Sequence, residues 1–157
     1  MPQYQRHKLS LVETKAYLEL AKYLDELLEL PRVLEVFATK DPPNPNPYLI
    51  VSDTCGASTA GQTWYYSDGD MFIELSSWIL HDLEEAKKVV RHEFAHVVQC
   101  YCKYSGTVHG RGFNKALKIV SPRRWRLDKN WKTSSKIDKA RKKLHPKIKV
   151  KLGVEKG

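Results

Sequence analysis

The stretch RHEFAHVVQCYCKYSGTVHG, residues 91–110, holds three histidines and one glutamate, with the pattern HExxH at its start. On a helix that advances about 100° per residue, His92 and His96 stand one turn apart on the same face, and Glu93 lies at the margin of that face. The stretch therefore predicts a helix with one face that carries the histidines and the glutamate. The opposite side faces the core and is formed by Val90, Phe94, Val97 and Tyr101.

The histidine-bearing face of this helix suits a zinc ion. Two imidazole Nε2 atoms one turn apart can both reach a metal at about 2.0–2.1 Å and leave room for a third ligand and a water. Glu93 lies too far round the helix to be a ligand, but it is well placed to take a proton from that water. We expect one catalytic Zn²⁺ held by His92 and His96, with Glu93 as the general base.

A third ligand must come from outside this helix. His109 follows a break at Ser105-Gly106 and precedes a segment that can swing it back over the first two histidines. His81, three turns before His92, and His7 and His145, near the termini, are the weaker alternatives.

The residues around the motif predict a small α+β domain. An amphipathic helix over 8–30 is expected to stop at Pro31, and the proline-rich loop 41–47 leads to a strand over 48–52. Two more strands, 62–67 and 71–75, flank Asp68-Gly69-Asp70, a strong hairpin signal. We expect these three strands to form a small antiparallel sheet.

Helices follow the sheet. A helix over 83–103 with Asp82 as its N-cap carries the motif, and a short helix over 111–120 ends before Pro122. We divide the chain into a domain over 1–120 and a basic extension over 121–157. Within the extension we predict a helix over 134–144 and a strand over 147–154.

The positive charge of the chain lies in the extension. From residue 121 onward 14 Lys or Arg face three acids, a net charge of +11, whereas residues 1–120 carry a net charge of −2. Basic residues interleaved with two tryptophans suit phosphate contacts and base stacking. The predicted nucleic-acid contacts are Arg123, Arg124, Trp125, Arg126, Lys129, Trp131 and Lys132.

The composition predicts a protein that stays inside the cell. No segment reaches the roughly 18 apolar residues that a membrane span needs, and the N-terminus lacks the apolar region of a signal peptide. Three cysteines, Cys55, Cys100 and Cys102, form no CxxC pair and suit a reducing compartment. We expect a monomer in the cytoplasm, nucleoid or nucleus, without membrane contact.

The motif residues resemble those of the SprT-like metalloprotease (Spartan) family. HEFAH is followed by HGRGF, which matches the family's HGxxF/W segment at His109, Gly110 and Phe113. Upstream, MFIELSSWIL resembles its strand-to-helix segment. The resemblance follows the order of elements over about residues 8–120, with the specific motifs between 71 and 113.

The resemblance implies a zincin-like fold, His109 as the third zinc ligand, and a zinc-dependent endopeptidase that cleaves proteins crosslinked or bound to DNA. Single-stranded or irregular DNA is the implied partner. The chain departs from many family members in one respect, because no cysteine follows Cys102 to form a zinc ribbon. The basic extension is the candidate substitute for that ribbon.

Other classes of zinc protein share parts of this motif. A metzincin needs glycine where Gln99 stands and histidine where Cys102 stands, and a gluzincin needs an acid that residues 97–127 do not contain. A non-enzymatic DNA-binding protein with a structural zinc site would need a fourth ligand, for which Cys100 is nearest. A zinc hydrolase that acts on something other than protein also stays open.

Two parts of the mechanism are less defined by the sequence. Tyr101, Tyr104 and Arg111 are near enough in sequence to stabilise an oxyanion, and nothing selects among them. Substrate is expected to bind as an added strand along an exposed sheet edge, with segment 71–75 the first choice.

Overall fold

A computed structural model describes residues 8–43, 45–52 and 60–123. These residues form an α+β domain, which confirms the predicted fold class. The helices are α1 (Leu11–Leu28), α2 (Pro31–Phe37), α3 (Leu83–Tyr101) and α4 (Arg111–Val120), and a 3₁₀ helix, Ser77–His81, precedes α3. The strands are β1 (Tyr48–Ser52), β2 (Gly61–Tyr65) and β3 (Met71–Ser76).

Helical structure resumes where the sequence suggested that it stops. α1 begins after Ser10, which forms a capping box with Glu13, and ends at Leu28. Pro31 then occupies the first position of α2, a helix that the sequence analysis missed. Proline suits this position because the first N–H groups of a helix have no partner within it.

The three strands form a mixed sheet with the order β1-β3-β2. β2 and β3 pair as the predicted antiparallel hairpin, whose turn places Gly69 at a φ of 96°. β1 is parallel to β3, so the expectation of a wholly antiparallel sheet was wrong. The physical reason is burial: all six residues of β3 are buried, so this strand takes the centre and separates the two strands before it.

Helix α3 crosses the sheet and forms much of the core. The side chain of Asp82 accepts a hydrogen bond from the backbone N–H of Glu85, which confirms the predicted N-cap. The predicted apolar side is buried at Val90, Phe94 and Val97. Tyr101 is only half-buried, and its ring meets Phe37 edge-on at 5.4 Å between centroids. The core side of α3 therefore fixes which face carries His92 and His96 toward α4.

Several predictions fall outside the described residues. The helix over 134–144, the strand over 147–154 and the thiol of Cys55 belong to this group, and the division at residue 120 stays a prediction. In the part of the chain that the structure describes, no helix is long and apolar enough to cross a membrane.

Candidate metal centre

Three imidazole rings meet where α3 faces the segment before α4. The Nε2 atom of His109 lies 3.2 Å from Nε2 of His92 and 3.1 Å from Nε2 of His96. The potential ligand atoms of all three residues lie within 4.8 Å of one another, and this group could hold a metal ion. The two histidines of α3 are buried, and His109 is exposed. The structure thus brings together the three histidines that the sequence singled out.

The spacing of the nitrogen atoms fits a tetrahedral metal. Ligands at about 2.0–2.1 Å from a zinc ion at the centre of a tetrahedron are separated by ~3.3–3.4 Å. The separations of His109 Nε2 from the other two Nε2 atoms, 3.2 and 3.1 Å, lie close to that edge length. Three neutral imidazoles are also a usual donor set for a zinc that keeps its fourth position for water. The residues present therefore fit the metal.

Phe113 forms the platform under the three rings. Its centroid lies 4.9 Å from that of His92, 4.4 Å from that of His96 and 5.0 Å from that of His109. The side chain is 1% exposed, so its ring restrains three imidazoles from the core side. This contact explains why an aromatic residue stands four positions after His109.

A close backbone approach allows His109 to return to α3. A Cβ atom on Gly112 would lie only 2.8 Å from the carbonyl oxygen of Tyr104 and closer still to that of Ser105. Glycine at position 112 therefore lets the first turn of α4 pack directly on the loop that follows α3. The predicted break after α3 and the helix over 111–120 are both present.

Gln99 fixes the tautomer of His96. Its Nε2 donates to the carbonyl oxygen of Thr107 at 3.3 Å, so its Oε1 faces His96 Nδ1, which lies 3.1 Å away. Because an amide oxygen only accepts, Nδ1 of His96 carries the proton and donates it. Nε2 is then the unprotonated nitrogen, as metal binding requires. The same side chain ties α3 to the loop before His109.

Thr63 on β2 holds the carboxylate of Glu93. Its Oγ1 lies 2.8 Å from Glu93 Oε1 and 3.0 Å from the backbone carbonyl oxygen of the same residue. The hydroxyl has one proton to give, and the charged carboxylate is the stronger acceptor. Glu93 itself is 2% exposed. Its carboxylate is therefore held in one orientation beside the histidines.

Strand β2 reaches Glu93 because it packs closely against α3. A Cβ atom on Gly61 would lie 2.7 Å from Cγ1 of Val89. The absence of a side chain there lets the strand approach the helix one turn before Glu93. Two residues further along β2, Thr63 then meets the carboxylate.

Tyr65 follows on the same strand and is 49% exposed. Burial raises the pKa of its phenol. That pKa is raised further by the charge of Cys100, by a hydrogen bond with Cys100 and by the charge of Glu93. Because Tyr65 stands two residues after Thr63 on β2, the two side chains lie on the same face of the strand. Tyr65 was not among the oxyanion donors suggested by the sequence, which were Tyr101, Tyr104 and Arg111. Of those, the hydroxyl of Tyr101 donates to the carbonyl oxygen of Pro42.

The alternative zinc ligands lie elsewhere. His81 Nε2 is 2.8 Å from Oε2 of the buried Glu13, so this histidine joins the 3₁₀ helix to α1. Cys100 is not a member of the three-histidine group. Burial raises the pKa of its thiol, and the hydrogen bond with Tyr65 lowers it in part, so the neutral thiol is favoured. His7 and His145 fall outside the described residues.

The edge chosen for substrate was wrong. β3, which contains segment 71–75, is the central strand and pairs with a strand on both sides. A central strand has no unpaired edge to offer. Among the described strands, β2 is the outer strand that carries Thr63, and its residues Trp64 and Tyr65 are partly exposed.

One predicted nucleic-acid contact can be placed. Arg123 lines a cleft of about 500 Å³ together with Tyr23, Lys87 and Arg91. The hydroxyl of Tyr23 accepts a hydrogen bond of 2.7 Å from Arg91. The remaining predicted contacts fall outside the described residues: Arg124, Trp125, Arg126, Lys129, Trp131 and Lys132.

Sequence reasoning missed Thr63 and Gln99. Gln99 stands three residues after His96, so helical spacing alone could have placed it beside that ring. Thr63 gave no such signal, because it lies 30 residues before Glu93 and reaches it only through packing of β2 on α3.

The fold and the site together define an α+β domain with a three-histidine metal-binding group on an HExxH helix and the segment that follows it. The SprT-like family model matches residues 31–140, and the chain belongs to the SprT-like family. No curated protein and no solved structure matches the chain.

Proposed function

We propose that the protein is a zinc-dependent endopeptidase. The observation that carries this proposal is the convergence of the Nε2 atoms of His92, His96 and His109 beside a buried, oriented Glu93. Three histidine ligands leave one tetrahedral position for water, which is the arrangement of catalytic zinc sites and not of closed structural ones. Family membership supports the same chemistry.

Each residue of the site has a separate role in the proposed hydrolysis. His92, His96 and His109 would hold the zinc ion, which supplies Lewis acidity and lowers the pKa of a bound water toward about 7. Glu93 accepts a proton from the attacking water and passes it to the leaving amine nitrogen as the peptide C–N bond breaks. Thr63 keeps the carboxylate in place for both transfers, and Gln99 keeps His96 in the tautomer that can bind metal.

Strand β2 is the proposed docking edge for substrate. Its inner edge pairs with β3, and Thr63 lies against Glu93. An extended peptide that pairs with the outer edge of β2 would run past the metal site with little selection for side chains. Tyr65, partly exposed at the end of β2 and on the same strand face as Thr63, would then lie beside the peptide.

Proteins bound or crosslinked to DNA are the proposed substrates. The basic extension, with a net charge of +11 over residues 121–157, supports this assignment, as does the resemblance of the motifs to Spartan-type proteases. Binding to the phosphate backbone would hold the protease beside its substrates. Sequence-independent DNA binding would also permit many different substrates.

A cleavage assay with and without DNA tests this function. Purified protein of measured zinc content is incubated with a DNA-binding protein substrate, alone and with single-stranded DNA. We expect cleavage that depends on zinc and increases with DNA. A shortened chain that ends at Val120 and retains zinc should lose most of the DNA stimulation. Zinc-loaded protein that cleaves no protein substrate under either condition would contradict the proposal.

A further inference from the structure

Alternate residues of strand β2 approach successive turns of helix α3. The three close approaches join Gly61 to Val89, Thr63 to Glu93 and Tyr65 to Cys100. Because side chains two positions apart lie on the same face of a strand, all three positions of β2 face the helix. From the first approach to the last, β2 advances about 13 Å and α3 about 16 Å. Strand and helix therefore run alongside each other in the same direction.

The side of α3 that faces β2 borders the side that carries the metal-binding histidines. At about 100° per residue, Val89, Glu93 and Cys100 lie within about 40° of one another around the helix axis. His96 lies about 40° from Cys100 and one turn, about 6 Å, before it along the axis. Nε2 of His96 belongs to the metal-binding group. The hydroxyl of Tyr65, which forms a hydrogen bond with Cys100, therefore lies at the border of that group.

Tyr65 combines an oriented hydroxyl with an accessible ring. It is the last residue of β2, and its side chain is 49% exposed. Sulfur is a weak hydrogen-bond acceptor, so the bond with Cys100 orients the hydroxyl but is readily exchanged for a bond to a stronger acceptor. The pKa of the phenol is raised, mainly by burial, so the phenol keeps its proton at neutral pH. Tyr65 can therefore donate to a charged oxygen atom of a substrate.

Two other tyrosines near the end of α3 are directed away from this border. The hydroxyl of Tyr101 donates to a backbone carbonyl oxygen of the loop before β1, and this residue lies about 140° from His96 around the helix. The hydroxyl of Tyr104 forms a hydrogen bond with Cys102, a buried residue about 120° from His96. Of these three tyrosines, Tyr65 is the one on the side of α3 next to the histidines.

We propose that the hydroxyl of Tyr65 donates a hydrogen bond to the carbonyl oxygen of the peptide bond that is cleaved. When the water oxygen bonds to the carbonyl carbon, the second electron pair of the C=O bond moves to the carbonyl oxygen, and Glu93 takes a proton from the water. Tyr65 stabilises this negative charge and keeps its own proton. The electron pair returns as the C–N bond breaks, and the nitrogen leaves with the proton from Glu93. This inference rests on the proposed function and adds one catalytic residue to it.

A donor on β2 suits a peptide that pairs with the same strand. Thr63 and Tyr65 share one face of β2, so one strand orients both the base and the proposed donor. Backbone pairing with the outer edge of β2 would fix the peptide to this strand as well. The distance from the Tyr65 hydroxyl to the carbonyl oxygen would then depend on a single element. Such fixed donors are the ones that stabilise a developing charge most effectively.

Binding of a phosphinic peptide tests this role, because its charged oxygens resemble the carbonyl oxygen after the attack of water. The probe is an alanine hexapeptide whose central peptide bond is replaced by a phosphinic group. Tyr65→Phe in the zinc-loaded full chain is compared with wild type and with Tyr48→Phe. Tyr48 is 52% exposed and lies on β1, the other outer strand, so the control loses an equivalent hydroxyl. Affinity for the unmodified hexapeptide is measured in chains that also carry Glu93→Gln.

Tyr65→Phe should bind the phosphinic peptide about 100-fold more weakly than wild type, and its kcat on a protein substrate should fall by a similar factor. Its zinc content, melting temperature and affinity for the unmodified peptide should stay near wild type, since phenylalanine lacks only the hydroxyl. Tyr48→Phe should match wild type in every measurement. Loss for the charged ligand alone is the signature of a donor to the charged oxygen, which a merely structural role would not produce.

Three results would overturn the assignment of Tyr65. These are equal affinity of wild type and Tyr65→Phe for the phosphinic peptide, an equal loss for both peptides, and failure of the zinc-loaded wild type to bind the phosphinic peptide. The binding measurement needs no turnover, so it is separate from the proposed function. A wild type that binds the phosphinic peptide through Tyr65 but cleaves no protein would contradict the proposed function and leave the Tyr65 hydrogen bond standing.

Discussion

The hydroxyl of Thr63 lies 2.8 Å from Oε1 of Glu93, and this bond joins the outer strand of the sheet to the HExxH helix. One element carries the edge proposed for substrate, and the other carries the proposed base. Because Glu93 is buried, the orientation of its carboxylate depends on such contacts and not on solvent. The relationship makes Thr63 a positioning residue for the proposed reaction.

Thr63→Val should therefore lower kcat by roughly 10- to 100-fold, the usual effect of losing an orienting partner in a metal site, and leave KM and zinc content near wild type. Valine keeps the branched shape but cannot donate. Thr63→Ser keeps the hydroxyl and should retain most activity. Steady-state kinetics on a peptide substrate would reveal the split, and a serine variant as impaired as the valine variant would argue against the hydrogen bond.

Gln99→Leu should lower zinc affinity by roughly 10- to 100-fold, because His96 loses the acceptor that fixes its tautomer. Leucine fills a similar volume without a polar atom. Gln99→Glu, which can still accept from Nδ1 of His96, should bind zinc more tightly than the leucine variant. Competition with a chromogenic chelator measures both affinities, and equal affinities would remove Gln99 from the metal site.

His109→Ala should lose most of its zinc, since one of three ligands is absent. His81→Ala is the matched control: it should keep zinc but unfold at a lower temperature, because Oε2 of the buried Glu13 loses its contact with His81. Zinc content by mass spectrometry and thermal melting distinguish the two variants. Full zinc content in the His109 variant would contradict the assignment of the third ligand.

The local features of this protein were readable from its sequence. Helical periodicity placed His92, Glu93 and His96 on one face of α3, and the glycine break before His109 indicated a return of the chain. Asp68-Gly69 likewise predicted the hairpin. Each of these three patterns involves only residues that are close in sequence.

Non-local arrangements were not readable in the same way. The parallel pairing of β1 with β3 depends on which strand takes the centre of the sheet, and no residue of YLIVS specifies that. The contact from Thr63 to Glu93 requires both the sheet order and the packing of β2 on α3. α2 lies between these cases: proline is typical of a helix start as well as of a helix end, and here α1 ends at Leu28 while Pro31 begins α2, of which the sequence predicted only the end of α1.

The thiol of Cys100 should react slowly. Burial raises its pKa, so at pH 8 the reactive thiolate is a smaller fraction than in a free cysteine. The rate of alkylation by iodoacetamide is followed by peptide mass mapping. This rate should continue to rise with pH above the range in which the rate for a free cysteine levels off. The same site in denatured protein provides the reference rate. A plateau at unusually low pH would indicate a stabilised thiolate and would favour the closed structural zinc site.

We propose that a zinc ion held by three histidines, with Glu93 as the base, hydrolyses peptide bonds. Glu93→Gln tests it most directly, because the amide keeps the shape of the side chain but cannot accept the proton of water. Zinc content and cleavage of an unfolded protein are measured on the same samples of wild type and variant. We predict one zinc per chain in both, with cleavage reduced by at least about 100-fold in the variant. Near-normal cleavage by zinc-loaded Glu93→Gln would show that Glu93 is not the base.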